Sequence, residues 1–132
     1  MRYCLDTNIV SDIVRNPRAP AARQLRRVGQ SDVCISIIVA SELRFGILRG
    51  GPPETAQKIV QTLRQLAIMP FESPADHHYA DLRFTLETAG NLIGANDLLI
   101  AAHALALGCT LVTDNEREFA RVPGLVIENW LR

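Results

Sequence analysis

Long apolar runs are missing from this chain: no segment approaches the roughly 20 consecutive apolar residues of a membrane span. The first residues also lack the apolar core of a secretory leader, so a cytoplasmic protein with no membrane role is expected. Cysteine is scarce. Cys4, Cys34 and Cys109 are dispersed, odd in number and set in strand-like apolar runs, which argues against a disulfide framework and for buried thiols in a reducing compartment. Neither G-x-G-x-x-G nor G-x-x-x-x-G-K-[ST] occurs, which removes the glycine-rich cradles of dinucleotide and nucleoside-phosphate binders. Lysine is nearly absent, Lys58 being the only one. Internal repeats, low-complexity tracts and a second domain are absent as well.

What remains is an aliphatic chain of 132 residues, 48% hydrophobic, sized for one domain over 1–132 with a real core. Acids and bases balance at 14 each, but unevenly along the chain. Residues 1–64 hold ten bases and five acids and residues 65–132 four and nine, so the halves carry about +5 and −5. Nearly all the bases are arginine, whose fork matches phosphate oxygens.

From Leu98 to Leu107 only His103 is polar, which predicts a helix buried in the centre of the domain, with Asp97 on its first turn and Gly108 as its stop. Leu111-Val112 follows as a short buried strand ending at Asp114. The chain opens in the same way, Tyr3-Cys4-Leu5 running into Asp6-Thr7-Asn8. Asp6 or Thr7 can cap a helix that places Ile9, Val10, Ile13 and Val14 at helical spacing, and Asn16-Pro17 ends it. Ala19 to Val28 predicts a second amphipathic helix, Asp32 to Ser36 a second strand, and Ser36 the cap of a helix from Ile38 to about Leu48. Gly50-Gly51-Pro52-Pro53 breaks that helix and pre-sets the next, through Leu66. Ala67-Ile68-Met69 is a third strand, Ser73-Pro74 opens a helix to about Thr88, and Leu125-Val126-Ile127 is the fifth strand. Strands alternating with helices predict an α/β three-layer sandwich, a five-stranded parallel sheet flanked by helices. If the strands ending at Asp6 and Asp114 are neighbours, both acids emerge at the carboxyl edge of the sheet, where such folds place ligands.

Glu42 joins these acids from the apolar stretch Ile37 to Leu48. A carboxylate in apolar surroundings needs a cation, a donor or water, and two like charges ~4 Å apart repel by about 4 kcal/mol at an effective dielectric of ~20. A hard divalent ion, Mg²⁺ or Mn²⁺, supplies the compensation and can polarise a phosphodiester and activate water. Taken singly, Asp6 also suits a helix cap, Asp97 a dipole partner, Asp114 a turn and Glu42 a solvated edge.

The blocks Leu5-Asp6-Thr7-Asn8, Ser41-Glu42-Leu43 with Gly46, Ile93-Gly94-x-x-Asp97-x-x-Ile100-Ala101-Ala102-His103 and Leu111-Val112-Thr113-Asp114-Asn115-x-Arg117-Glu118-Phe119 resemble, in order and spacing, the motif series of PIN-domain nucleases. More closely they resemble the VapC toxins of toxin–antitoxin modules, with Val122-Pro123-Gly124-Leu125 and Glu128-Asn129-Trp130 fitting too. The resemblance implies a PIN-like fold and a Mg²⁺-dependent endoribonuclease (Mn²⁺ substituting) that acts on tRNA or ribosomal RNA and is checked by a small VapB antitoxin covering its groove. It implies an acidic site of Asp6, Glu42, Asp97 and Asp114, with Asp6 and Asp97 as direct ligands and Thr7 and Asn115 in support. The expected reaction is water attack on phosphorus, leaving 5′-phosphate and 3′-hydroxyl ends.

Arg23, Arg26 and Arg27 can contact an RNA backbone or form only a solvated helix face, and Arg83 can reach substrate or an acid. His103 reads as a hydrogen-bonded core residue, and Asp76-His77-His78 as a first-turn polar cluster. Phe45, Phe84 and Trp130 add apolar surface beyond the needs of one core, favouring a homodimer or antitoxin docking. Two alternatives stand beside the nuclease. A phosphate-accepting signalling domain, as a family, uses a late lysine beside its acids, which Lys58 does not match; a degenerate PIN fold would serve as an RNA-binding or protein-interaction module.

Overall fold

The computed structural model of the chain describes residues 1–132. Strand β1 (Tyr3–Leu5) leads into helices α1 (Thr7–Arg15) and α2 (Pro20–Val28), and a single 3-10 turn brings the chain to β2 (Val33–Ser36). Helices α3 (Ile37–Arg49) and α4 (Pro53–Gln65) connect β2 to β3 (Ala67–Met69). Helices α5 (Ala75–Thr88) and α6 (Ala95–Leu107) carry the chain to β4 (Thr110–Val112), and one helical turn, α7 (Glu116–Phe119), precedes β5 (Ile127–Glu128). The strands form one parallel sheet in the order β3-β2-β1-β4-β5, the helix-flanked three-layer sandwich that the alternation predicts.

That order positions the site. From β1 the chain steps outward to β2 and β3, then returns past β1 to β4 and moves the other way to β5. Right-handed crossovers therefore put the connections that follow β1 and β4 on opposite faces of the sheet, opening a crevice beyond the carboxyl ends of these two strands. Leu5 lies beside Val112, and the Asp6 amide donates to the Val112 carbonyl at 2.8 Å, so the pairing continues up to the first acid.

Strands covered on both faces carry no alternation, and Cys4, Leu5, all of β2, Leu111 and Val112 are buried. Helix α6 buries Leu98, Ile100, Ala101, Ala102, His103 and Ala104 before Gly108 closes it at φ 68°. His103 is the core residue expected, its Nδ1 2.7 Å from Ser36 Oγ, which also caps α3 by accepting from the Ile38 amide. The three thiols are buried and free; hydrogen bonding to Cys34, then burial, raises the Cys109 thiol, which keeps it unreactive.

Two expectations shift. Strand β5 begins at Ile127 rather than Leu125, because the Leu125 amide is drawn back to the Val122 carbonyl in the turn after α7. Trp130 does not add to the apolar surface: it is buried, edge-on to Tyr3, with its indole N–H donated to Glu128. Phe45 and Phe84 are exposed as expected, joined by Leu48. No helix is long and apolar enough to cross a membrane.

Candidate active site

Asp6 ends β1 and caps α1, and its two oxygens answer to different elements. Oδ1 accepts from the Thr7 amide at 2.8 Å, and Oδ2 accepts from the Thr113 hydroxyl, also at 2.8 Å. Thr113 is fully buried at the end of β4, so the hydroxyl ties β4 to β1 where the acids begin. The Thr7 hydroxyl then donates to Glu42 Oε1 at 2.5 Å, while Asn96 Nδ2, on the first turn of α6, donates to Glu42 Oε2 at 3.2 Å.

Across the crevice Asp97 accepts from Asn115 Nδ2 at 3.4 Å and shares a hydrogen bond with Glu118. Glu118 accepts from Asn115 Nδ2 and from the Gly94 amide, both at 2.5 Å. A Cβ at Gly94 would make ordinary contacts, 3.4 Å from Glu118 Oε1 and 3.6 Å from Asp97 Oδ2, so what this position supplies to the site is its amide. Helix α7 is only one turn long, and the fully buried Phe119 anchors it and so sets the adjoining Glu118. Three of the acids stand at or within the first turn of α1, α6 or α7, where helix dipoles favour negative charge.

The electrostatics are uncompensated. Burial raises the Asp6 carboxyl above 3.8 despite the Thr113 and Thr7 hydrogen bonds, with Glu42 and Glu118 adding repulsion. Asp97 is pushed up to about 7, first by burial, then by the hydrogen bond to Glu118 and the charges of Glu118, Asp6 and Glu42. Glu118 moves down, held by the Gly94 amide foremost against burial, so the shared proton resides on Asp97. No salt bridge reaches any of the four acids. The donors are all oxygen and suit a hard divalent cation. As the side chains lie, no three acidic, histidine or cysteine groups are drawn together tightly enough to hold a metal ion.

Asp6, Glu42 and Asp97 lie around the same crevice as Thr7 and Asn115, linked by the Thr7 hydroxyl to Glu42 and the Asn115 amide to Asp97. Asp114 stands apart, exposed, with Oδ1 accepting from Asn129 Nδ2 at 3.1 Å. Sequence reasoning missed Glu118, Thr113, Asn96 and the amide of Gly94. The signal for Glu118 was the spacing Asn115-x-x-Glu118 ahead of an apolar Phe119, which puts two polar side chains on one face of a single helical turn. Arg83 faces outward on α5, bonded to the Tyr79 hydroxyl and 3.9 Å from Glu87. Arg26 donates to the Pro17 carbonyl, and Arg23 and Arg27 lie on the far part of α2. A groove of about 400 Å³ runs from Thr7 and Glu42 between α1, α3 and α4 to Arg15, past Ser11, Gly46 and Thr55.

A parallel five-stranded sheet with acids gathered beyond the end of β1 is the arrangement of a PIN-like fold, and the PIN domain family profile matches residues 3–125. The chain belongs to the PIN-domain family and is homologous to the VapC-type toxins of VapBC toxin–antitoxin systems. It is 41% identical over 132 residues to Ribonuclease VapC2 of Rickettsia felis, covering 98% of each chain. To the tRNA(fMet)-specific endonuclease VapC of Shigella flexneri it is 31% identical, again over 98% of each. Among solved structures, VapBC2 from Rickettsia felis bound to a DNA fragment from its promoter superposes with a TM-score of 0.89 at 38% identity, covering 98% of this chain and 99% of that one. Homology therefore supports an RNA-acting toxin.

Proposed function

We propose that residues 1–132 form one PIN domain acting as a Mg²⁺-dependent endoribonuclease, the toxin of a toxin–antitoxin pair, with tRNA or ribosomal RNA as substrate. The observation that carries this reading is the set of four carboxyl groups, Asp6, Glu42, Asp97 and Glu118, half buried together with no base paired to them. Asp6 and Asp97 would hold the ion directly, and Glu42 and Glu118 would complete the oxygen cage. The proposal moves the fourth acid from Asp114 to Glu118, whose carboxylate is the one hydrogen-bonded to Asp97. Mg²⁺, when bound, supplies the charge that stabilises the phosphate oxygens and acidifies a water.

The residues themselves do the positioning. Thr7 and Thr113 hold both Asp6 oxygens and Glu42 in a fixed order, so little reorganisation is left for the moment of reaction. Asn115 spans Asp97 and Glu118 and keeps both turned to the crevice. To hold a cation Asp97 would have to give up its shared proton, so cation binding would weaken as pH falls below about 7. A VapB-like antitoxin is the proposed partner, covering the groove between Glu42 and Arg15, and a second copy of the chain is proposed to cover exposed Phe45 and Leu48 of α3.

The test is sequencing of RNA 5′ ends after brief expression of the chain beside its Asp6→Asn variant. New 5′-phosphate ends should appear with the parent only, the variant remaining folded, and EDTA should abolish cleavage in vitro. Growth arrest without new ends would instead favour a binding module that cuts nothing.

A further inference from the structure

Helix α2 turns Ala21, Ala22 and Leu25 into the core and leaves Arg23, Arg26 and Arg27 outside. The three do not face alike. Arg23 and Arg27 are four residues apart and share one face, whereas Arg26 is rotated by about 100° from Arg27 and its Nη1 donates to the Pro17 carbonyl at 2.9 Å. The segment after β5 folds beside that shared face. Together they line a recess of about 470 Å³ bordered by Pro20, Arg23, Gln24, Arg27, Asn129, Trp130 and Arg132.

Three guanidinium groups border this recess, and only Arg132 has a carboxylate partner, Glu116. Arg23 donates to the Arg18 carbonyl at 2.7 Å and Arg27 to Gln24 Oε1 at 3.0 Å, both uncharged acceptors. Like charges at this spacing repel, and an anion between them removes the repulsion while taking their forks bidentately. A protein partner would want an exposed apolar anchor. The apolar wall here is small: Trp130 is buried against Tyr3, which leaves Pro20 as the exposed apolar residue of the lining.

The recess is also joined to the acid site. Asn129 Nδ2 donates to Asp114 Oδ1 and to Glu116 Oε2, both at 3.1 Å, while the next residue after Asp114, Asn115, reaches Asp97 and Glu118. Two consecutive residues thus bond in different directions, Asp114 to Asn129 at the recess wall and Asn115 to the acids. We propose that the Arg23–Arg27–Arg132 recess binds a phosphodiester of the RNA backbone away from the scissile bond and holds the strand across the 113–116 loop without reading its bases. The choice of RNA rests on the ribonuclease reading. Backbone contacts of this kind set register rather than sequence preference.

The experiment measures binding of a labelled single-stranded RNA of mixed sequence to the full chain in EDTA, across a series of KCl concentrations. The Arg23→Gln/Arg27→Gln double variant should lower the slope of log Kd against log salt by about 0.7, the value for one lost phosphate contact, whereas Arg26→Gln leaves it unchanged. With Mg²⁺ present, the double variant should raise KM for a long RNA and leave kcat unchanged. A slope unaltered in the double variant, or lowered equally by Arg26→Gln, overturns the proposal. Poly-glutamate binding that falls in the double variant while the RNA slope stays constant overturns it too, assigning the recess to an acidic protein. Because binding is read without metal, failure of the chain to cut RNA would refute the nuclease reading and leave this measurement intact.

Discussion

The two ends of the sheet handle charge in opposite ways. At the amino end, Arg2 Nε meets Asp32 at 2.5 Å in the open, opposite charges lie side by side, and three thiols fill the space behind them. At the carboxyl end four carboxyl groups crowd into a half-buried crevice with no base bridged to them. One end pairs its charges, and the other gathers carboxyl groups whose repulsion is relieved by the proton on Asp97 and would be relieved further by a bound cation. Such local violations of otherwise consistent folding rules are where function is expected.

The contrast can be broken most severely through Phe119. Phe119→Ala empties the anchor of α7 and should cost about 3–5 kcal/mol of stability, releasing Glu118 with it; chemical denaturation measures the loss. Next in size is cleavage at the acid end. Glu118→Gln should cut RNA hydrolysis strongly while Asp114→Asn changes it little, since Asp114 faces Asn129; rates on one RNA under saturating Mg²⁺ decide between them.

Titration sharpens the comparison further. The Asp97 carboxyl is raised from 3.8 to about 7 in the fold, so its contribution to stability is fully present below about pH 4 and is lost as pH rises through 7. Thermal melts should therefore show the metal-free protein gaining stability on mild acidification, and Asp97→Asn should flatten that gain. His103 works the other way. Burial lowers its pKa, so acidification below 6.5 favours the unfolded chain, and the gain from Asp97 should turn over in that range. The smallest effect belongs to the amino end, where Asp32→Asn removes the charge of one surface pair but keeps an oxygen for the Arg2 amide, and should leave the melting temperature within error of the parent.

Much of this was legible in the sequence where one physical constraint acted alone. An apolar run with His103 as its sole polar residue had to be a buried helix, and strands running straight into Asp6 had to end at the sheet edge. Reading failed where neighbours competed. Thr113 turns inward to Asp6, and strand alternation then throws Asp114 outward, so the acid that faces the crevice is Glu118, returned by one turn of helix. The closing of Arg132 onto Arg23 and Arg27 depends on tertiary packing that no local pattern encodes, as does the burial of Trp130 on Tyr3.

Mn²⁺ binding followed by calorimetry at pH 8 tests the shared-cation claim most directly. The parent and Asp114→Asn should bind with the same affinity, and Glu118→Gln and Asp97→Asn at least tenfold more weakly. Absence of binding by the parent, or loss on changing Asp114 but not Glu118, would contradict it.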